Sequence, residues 1–307
     1  MRVREARQRV RRNARRTLTA SPAQGSYAKH LLPALPFTPG SDGAGVVEAV
    51  GAGVAGVAAG ARVWLSGSVS GTYAEFALAK EGDVHPLPDA VSFRAGAGIG
   101  TAYRTAYRAL FTRAHVRAGQ TVLVHGASGG VGLAAVQLAR AAGCRVLGTA
   151  GSAEGLALVQ AQGGEAVSHK GEGYMEEIRR LSPEGKGVDV ILEMAAHENL
   201  NADMGLLARG GTIVIVGNRG DVNINPRLLM LCEGSVVGVL GPGAPDEARQ
   251  VLAGIRGGLV SGALRPVVGP AFALEDAPAS HVEVIEHKMG TKGKIVLDIA
   301  PEAKQEL

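Results

Sequence analysis

The sequence predicts an α/β protein: a doubly wound parallel sheet inserted between two parts of a β-rich domain. Three observations predict it. In the middle of the chain, apolar strand-like runs alternate with helical ones. A glycine-rich turn, "HGASGGVG" from His125 to Gly132, joins the strand run "TVLV" to the helical run "VGLAAVQLARAAG". Before it, from Gly45 to Lys80, short runs rich in Val, Ala and aromatics are separated by Gly-rich turns, a β-like pattern of short strands.

In order along the chain, "GVVEAV", "ARVWLS" and "TYAEFALA" read as strands, and "LPDAVSFRAGAGIG" as a loop leading into a helix over Gly98 to Thr112. Then follow strand "TVLVHG", a helix ending at Gly143, strand "RVLGTAG", helix "AEGLALVQAQGG", a short strand "EAVSH" and the amphipathic helix "YMEEIRRLS". Strand "VDVILEM", helix "ENLNADMGLLARGG" and strand "TIVIVGN" complete the repeat. Strands alternating with helices imply βαβ units. The continuously apolar "TVLV" and "TIVIV" suit strands covered on both faces. After Pro242 come helix "APDEARQVLAGIRGG", a Pro-containing connector, helix "ALEDAPASHVEVIEHK" and a last strand "GKIVLDI". The expected domains are an atypical Arg-rich segment at 1–24, a β-rich domain at 25–97 and 243–307, and a nucleotide-binding domain at 98–242, with chemistry in the cleft between the two domains.

At 307 residues the chain is long enough for two domains. It is 46% hydrophobic and 20% charged, within the range of soluble globular proteins. No internal repeat and no apolar run of membrane-spanning length is found, so no membrane partner is expected. The net charge of +4 is local in origin. Residues 1–16, "MRVREARQRVRRNARR", hold eight Arg and one Glu, so the rest of the chain carries −3. Nucleic-acid binding is therefore not expected of the globular body; only the Arg-rich start offers a route to it. That start is compatible with a basic tail, an organelle-targeting segment or a gene-model artefact. The expected compartment is the cytoplasm, or the mitochondrion if the segment is a targeting peptide. Cys144 and Cys232 form no CxxC pair and read as small buried hydrophobes.

The glycines of the central turn have distinct tasks. Gly126 makes the tight turn, Gly129 and Gly130 admit a pyrophosphate to the backbone, and Gly132 lets the following helix pack closely. The helix N-terminus presents free N–H groups and partial positive charge to phosphate. The spacing G-x-x-G-G-x-G departs from the common dinucleotide fingerprint, but the strand before and helix after supply its context. The next strand ends "LGTAGSAEG". An NAD site carries Asp or Glu there to bind the ribose 2′-hydroxyl. This chain has Gly151 and Ser152, with His169 and Lys170 after the third strand, which favours NADPH.

Together "TPGSDGAGVVEAVG", "GTYAEFALA", "VLVHGASGGVGLAAVQLARAAG", "LGTAGSAEG", "VIVGNRGDVNINPR" and "GTKGKIVL" resemble the zeta-crystallin type of NADPH:quinone oxidoreductase, in the zinc-independent branch of the medium-chain dehydrogenase/reductases. The resemblance covers residues 25–299 and implies a Rossmann-like domain inserted in a GroES-like catalytic domain. It implies that Ser128, Gly129, Gly130 and Val131 cradle the pyrophosphate. Gly151 and His169 face the 2′-phosphate, and Asn199 lies along the cofactor. Val216, Gly217, Asn218 and Arg219 form a wall, and Val239, Leu240 and Gly241 close over the nicotinamide end. Thr105 matches a family threonine near the nicotinamide and is the candidate catalytic residue. The implied reaction delivers reducing equivalents from NADPH to a quinone or α,β-unsaturated carbonyl. The alternative is an NADPH-binding structural protein of the lens-crystallin kind. A homodimer or homotetramer is implied, with "SVVGVLG" as a candidate pairing strand.

Zinc-dependent relatives use a His–Glu pair where this chain reads Ser41 and Asp42 within "PGSDGAG", so no metal is expected. His30, His85 and His197 read as surface or structural residues. The family's opening strand, with its Gly-Pro-Glu turn and Val-Asn-Pro segment, has no counterpart in "RVRRNARRTLTASPAQGSYAK". The family tyrosine position falls near Ala23, and Tyr27 corresponds to a different family tyrosine. The expectation is a β-rich domain short of one or more strands, with open edges and a weakened substrate wall beside an intact cofactor site.

Overall fold

The computed structural model describes residues 7–17 and 36–299; Ala23, Tyr27 and His30 lie outside them. Along the chain run strands β1 (Arg7–Thr17), β2 (Gly43–Val50), β3 (Arg62–Leu65), β4 (Ala77–Lys80) and β5 (Val84–Pro86). Helices α1 (Phe93–Ala97) and α2 (Gly100–Tyr107) follow, the latter widening into a π-turn over Arg108–Arg113. The alternating stretch is β6 (Thr121–Val124), α3 (Gly130–Ala141), β7 (Arg145–Ala150), α4 (Ala153–Ala161), β8 (Glu165–Ser168), α5 (Tyr174–Leu181), β9 (Val188–Glu193), α6 (Ala196–Leu206) and β10 (Leu207–Ile215). After it come α7 (Arg227–Cys232), β11 (Ser235–Gly238), α8 (Pro245–Ser261), β12 (Val268–Ala273), α9 (Ala277–Glu286) and β13 (Lys294–Asp298). No helix among the described residues is long and apolar enough to cross a membrane.

The described residues form two compact units, one over 102–264 and the other made of those up to 101 and those from 265 onward. In the first, six parallel strands run in the order β11-β10-β9-β6-β7-β8. Chain order reverses between β6 and β9, so this is the doubly wound sheet, with its switch point beside the glycine-rich turn. All four residues of β6 are buried, as the run "TVLV" requires for a central strand with both faces covered. Leu123, Leu147, Ile191 and Ile213 are wholly buried in its core. Each contributes about 2–3 kcal/mol on burial.

The boundary expected at 242 lies at 264 instead. Helix α8 belongs to the nucleotide unit because Val251, Ile255 and Leu259, one stripe at helical spacing, are buried there. Gly254 and Gly258 permit close approach: a Cβ would lie 2.3 Å from Tyr107 Cε2 at Gly254 and 2.4 Å from Leu264 Cγ at Gly258.

The other unit carries a sheet in the order β12-β13-β1-β2-β3-β5, with β4 also paired to β1. Val47, Val63, Leu65, Ala77 and Val84 make a core on it. The Arg-rich segment supplies a strand here. Arg7 to Val10 pair with Lys80 to Ala77, Gln8 to Arg15 with Val50 to Ala44, and Arg16 and Thr17 with Leu297 and Val296. Open edges are expected of this domain from its sequence; instead β1 pairs with β2, β4 and β13, because alternate main-chain groups of an extended segment pair whatever its side chains are. The stretch read as a Pro-containing connector is strand β12. It lies at the end of the sheet order, where Pro270 is tolerated.

Candidate functional site

The turn after β6 has the shape its sequence requires. Gly126 stands at φ +56° and Gly129 precedes the first residue of α3. A Cβ on Gly132 would lie 2.4 Å from Gly126 O and 2.6 Å from Ala127 Cα, so only glycine brings α3 this close to the turn. The N-terminus of α3 therefore stands at the strand end with its first N–H groups outside the helical ladder.

The other expected residues gather along the same carboxyl edge of the parallel sheet. Ser128–Val131 follow β6, Gly151 follows β7, His169 follows β8, and Asn199 lies on α6 after β9. Val216–Arg219 follow β10 and Val239–Gly241 follow β11. The residues after β9 and β10 interlock: Val216 N and Gly217 N donate to Glu193 O at 2.9 and 3.1 Å, and Ala196 N to Gly217 O at 3.0 Å. Gly217 is needed there, since a Cβ would lie 2.3 Å from Met194 O. Val239 N donates to Ile215 O, which holds the last segment beside them. Thr105 is half-buried on α2.

At the end of β7 the chain presents no carboxylate. A Cβ on Gly151 would lie 2.6 Å from His169 Nε2 and 3.4 Å from Lys170 Cε, so the structure brings these three residues together. Ser152 caps α4 by accepting from Gly155 N at 3.1 Å. Burial, reinforced by His125 and Lys170, holds the His169 imidazole below its ordinary pKa.

Beneath the turn lies a polar cluster that motif reading missed. His125, Glu193 and Asp203 are each at most 3% exposed. His125 Nε2 is 2.9 Å from Asp203 Oδ1 and 3.6 Å from Glu193 Oε2. Thr149 Oγ1 lies 3.4 Å from His125 Nδ1 and accepts from Gly126 N at 3.1 Å. The network assigns the Nε2–H tautomer, with the Thr149 hydroxyl donating to Nδ1. Glu193 Oε1 accepts from Ala195 N and, at 3.3 Å, from Asn199 Nδ2. Burial, then Asp203, pushes the Glu193 carboxyl up to about 7, and burial pushes Asp203 up to about 6. Burial pushes His125 down. Two buried carboxylates cannot both remain ionised so close together, so the pair retains a proton. The available signal was one polar residue ending each apolar strand: His125 after "TVLV" and Glu193 in "VDVILE".

In the other unit, Asp42 is 1% exposed and its carboxylate is fully engaged. Thr101 N donates to Oδ2 at 2.9 Å and Thr101 Oγ1 to Oδ1 at 2.8 Å. Ser41 Oγ lies 3.4 Å from Asp42 Oδ1. His85 packs on Trp64 with ring centroids 4.4 Å apart and bonds Ser66 Oγ at 2.8 Å, a structural role. His197 Nδ1 accepts from Arg219 N.

A parallel sheet of this order, a phosphate-type turn at its switch point and an accompanying antiparallel-rich unit define a medium-chain dehydrogenase/reductase. Family models agree: residues 16–89 match the alcohol dehydrogenase GroES-like domain and residues 130–256 match the zinc-binding dehydrogenase family. The chain belongs, within that class, to the zeta-crystallin-type quinone oxidoreductases and is an oxidoreductase. It is 47% identical to the quinone oxidoreductase of Pongo abelii, over 89% of this chain and 82% of that protein. Among solved structures it is similar to an NAD-dependent alcohol dehydrogenase (TM-score 0.86, 29% identity, 96% of this chain and 92% of that one). It is also similar to a mycobacterial protein complexed with NADPH (TM-score 0.83, 27% identity, 95% and 90% coverage). The fold is thus shared by proteins named for either nicotinamide cofactor, and preference must come from particular residues.

Proposed function

We propose that the chain reduces quinones or α,β-unsaturated carbonyls with NADPH and without zinc. The observation that carries the cofactor choice is Gly151, where an NAD site places a carboxylate, backed by His169 and Lys170. Lys170 supplies the cation, and the His169 ring offers an N–H donor to the phosphate. Ser128, Gly129, Gly130 and Val131 take the pyrophosphate at the α3 N-terminus. Asn199 lies along the cofactor, Val216–Arg219 form one wall, and Val239–Gly241 close over the nicotinamide end. Thr105 sits near the nicotinamide and orients the acceptor.

The bound cofactor supplies the hydride chemistry; the protein supplies orientation and a dry site. No metal is required to polarise the acceptor, and the residues at the position of the zinc ligands do not suit one. The Asp42 carboxylate is engaged by Thr101, Ser41 is a poor zinc donor, and both cysteines lie in the nucleotide unit. Assembly through the outer edge of β11 is supported by its half-buried Val236 and Val237 and by exposed Met230 and Leu231 nearby. A homodimer or homotetramer then forms, which light scattering measures directly.

The deciding experiment follows NADPH oxidation by the purified chain with and without an ortho-quinone, before and after chelator treatment. Quinone-dependent oxidation that survives chelation supports the reading. A folded chain that binds NADPH but oxidises none of it sinks the reductase assignment, and activity lost on chelation sinks zinc independence.

A further inference from the structure

We propose that Arg108 and Arg113, the first and last residues of the π-turn after α2, are positioning residues for the nicotinamide end of the cofactor; this rests on the reading that Val239–Gly241 close over that end. In an α-helix, residues five apart diverge by about 140° around the axis. A π-turn bonds residues five apart, as Ala114 N does to Ala109 O at 3.0 Å. That widening turns both arginines toward the same strand of main chain. Arg108 Nη1 donates to Leu240 O at 3.0 Å and to Gly241 O at 2.6 Å. Arg113 Nε donates to Gly238 O at 2.9 Å. Three carbonyls within four residues are held from one side.

Arg108 is itself fixed. It is 7% exposed, and its Nε and Nη2 donate to Glu247 Oε1 and Oε2 at 2.5 and 3.3 Å. Glu247, in the first turn of α8, also accepts from Ala244 N. A buried guanidinium needs its donors satisfied, so the passing segment is obliged to turn its carbonyls inward. Two glycines permit this: Gly241 at φ +71° and Gly243 at φ +80°. At Gly243 a Cβ would lie 2.3 Å from Glu247 Oε2 and 2.8 Å from Arg108 Nε, so the segment is wound directly over the ion pair. Lysine cannot reproduce the planar fork that meets two carbonyls and a carboxylate at once.

The test compares two ligands by calorimetry: NADPH, and 2′-phospho-ADP-ribose, which lacks the nicotinamide. Arg108→Lys should weaken NADPH about tenfold and the truncated ligand less than about twofold. Arg113→Lys, at an exposed position, should show the same selectivity at about threefold and keeps the test open if Arg108→Lys does not fold. Loss of selectivity, with both ligands weakened equally or neither weakened, overturns the positioning role while leaving the cofactor reading intact. A wild-type chain that binds neither ligand overturns the cofactor reading and this inference with it.

Discussion

His125 Nε2 stands 2.9 Å from Asp203 Oδ1, joining the end of the central strand β6 to helix α6 across 78 residues of sequence. Through Thr149 the same imidazole reaches the end of β7, and through Glu193 the cluster reaches Asn199. The floor under the turn is therefore a hydrogen-bonded hub rather than apolar packing. A low dielectric strengthens such bonds and makes each missing partner costly.

Removing one member should be damaging. Asp203→Ala leaves the His125 N–H buried without its acceptor and should destabilise the chain by about 3 kcal/mol. Chemical denaturation measures this; a loss below about 0.5 kcal/mol would show that the hub is not a stabilising unit.

The pH dependence has a definite sign. The Glu193 and Asp203 carboxyls are raised in the fold, so the folded chain holds more protons than the unfolded one between their ordinary values and about 7. Their contribution is complete below the ordinary carboxylate range and is lost as pH rises through about 7. His125, held low, opposes this below its ordinary value. The difference between Glu193→Gln and wild type isolates the carboxyl. The variant should gain stability relative to wild type, on the order of 2 kcal/mol, as pH rises from 5 to 8. Melting curves across that range with a constant offset would refute the shared proton.

Two glycines should separate cradle from cofactor choice. Gly132→Ala drives a Cβ into Gly126 O and should reduce affinity for NADPH and NADH alike by at least about tenfold. Gly151→Asp places a carboxylate beside His169 and should lower the NADPH-to-NADH preference by about a hundredfold. Steady-state kcat/KM for both cofactors decides this, and an unchanged ratio would remove Gly151 from the 2′-phosphate site.

Strand β1 should be essential to its unit. Deleting residues 1–17 unpairs the edges of β2, β4 and β13. Hydrogen exchange in those three strands should accelerate sharply, while β6 to β11 keep their protection. Unchanged exchange would mean the strand contributes nothing to that sheet.

The sequence by itself determined what depends on neighbours along the chain. Alternating apolar runs set the parallel sheet and its helices, and glycine spacing set the turn at Gly126 and the close approach at Gly132. The fourteen residues expected to bind the cofactor come from the resemblance, and the strand ends bring them to one edge. Tertiary structure alone decided the rest. Basic side chains gave no strand signal in Arg7–Thr17, because main-chain pairing with three distant strands makes that strand. Pro270 read as a connector until the sheet order put it at an edge. The stripe Val251, Ile255 and Leu259 is equally apolar whichever core receives it, so its unit was not legible. His125 with Asp203, and Arg108 with Glu247, are pairs whose members lie 78 and 139 residues apart. Local pattern reports which face of an element is buried; only folding reports what is buried against it, and there the long-range polar partners are chosen.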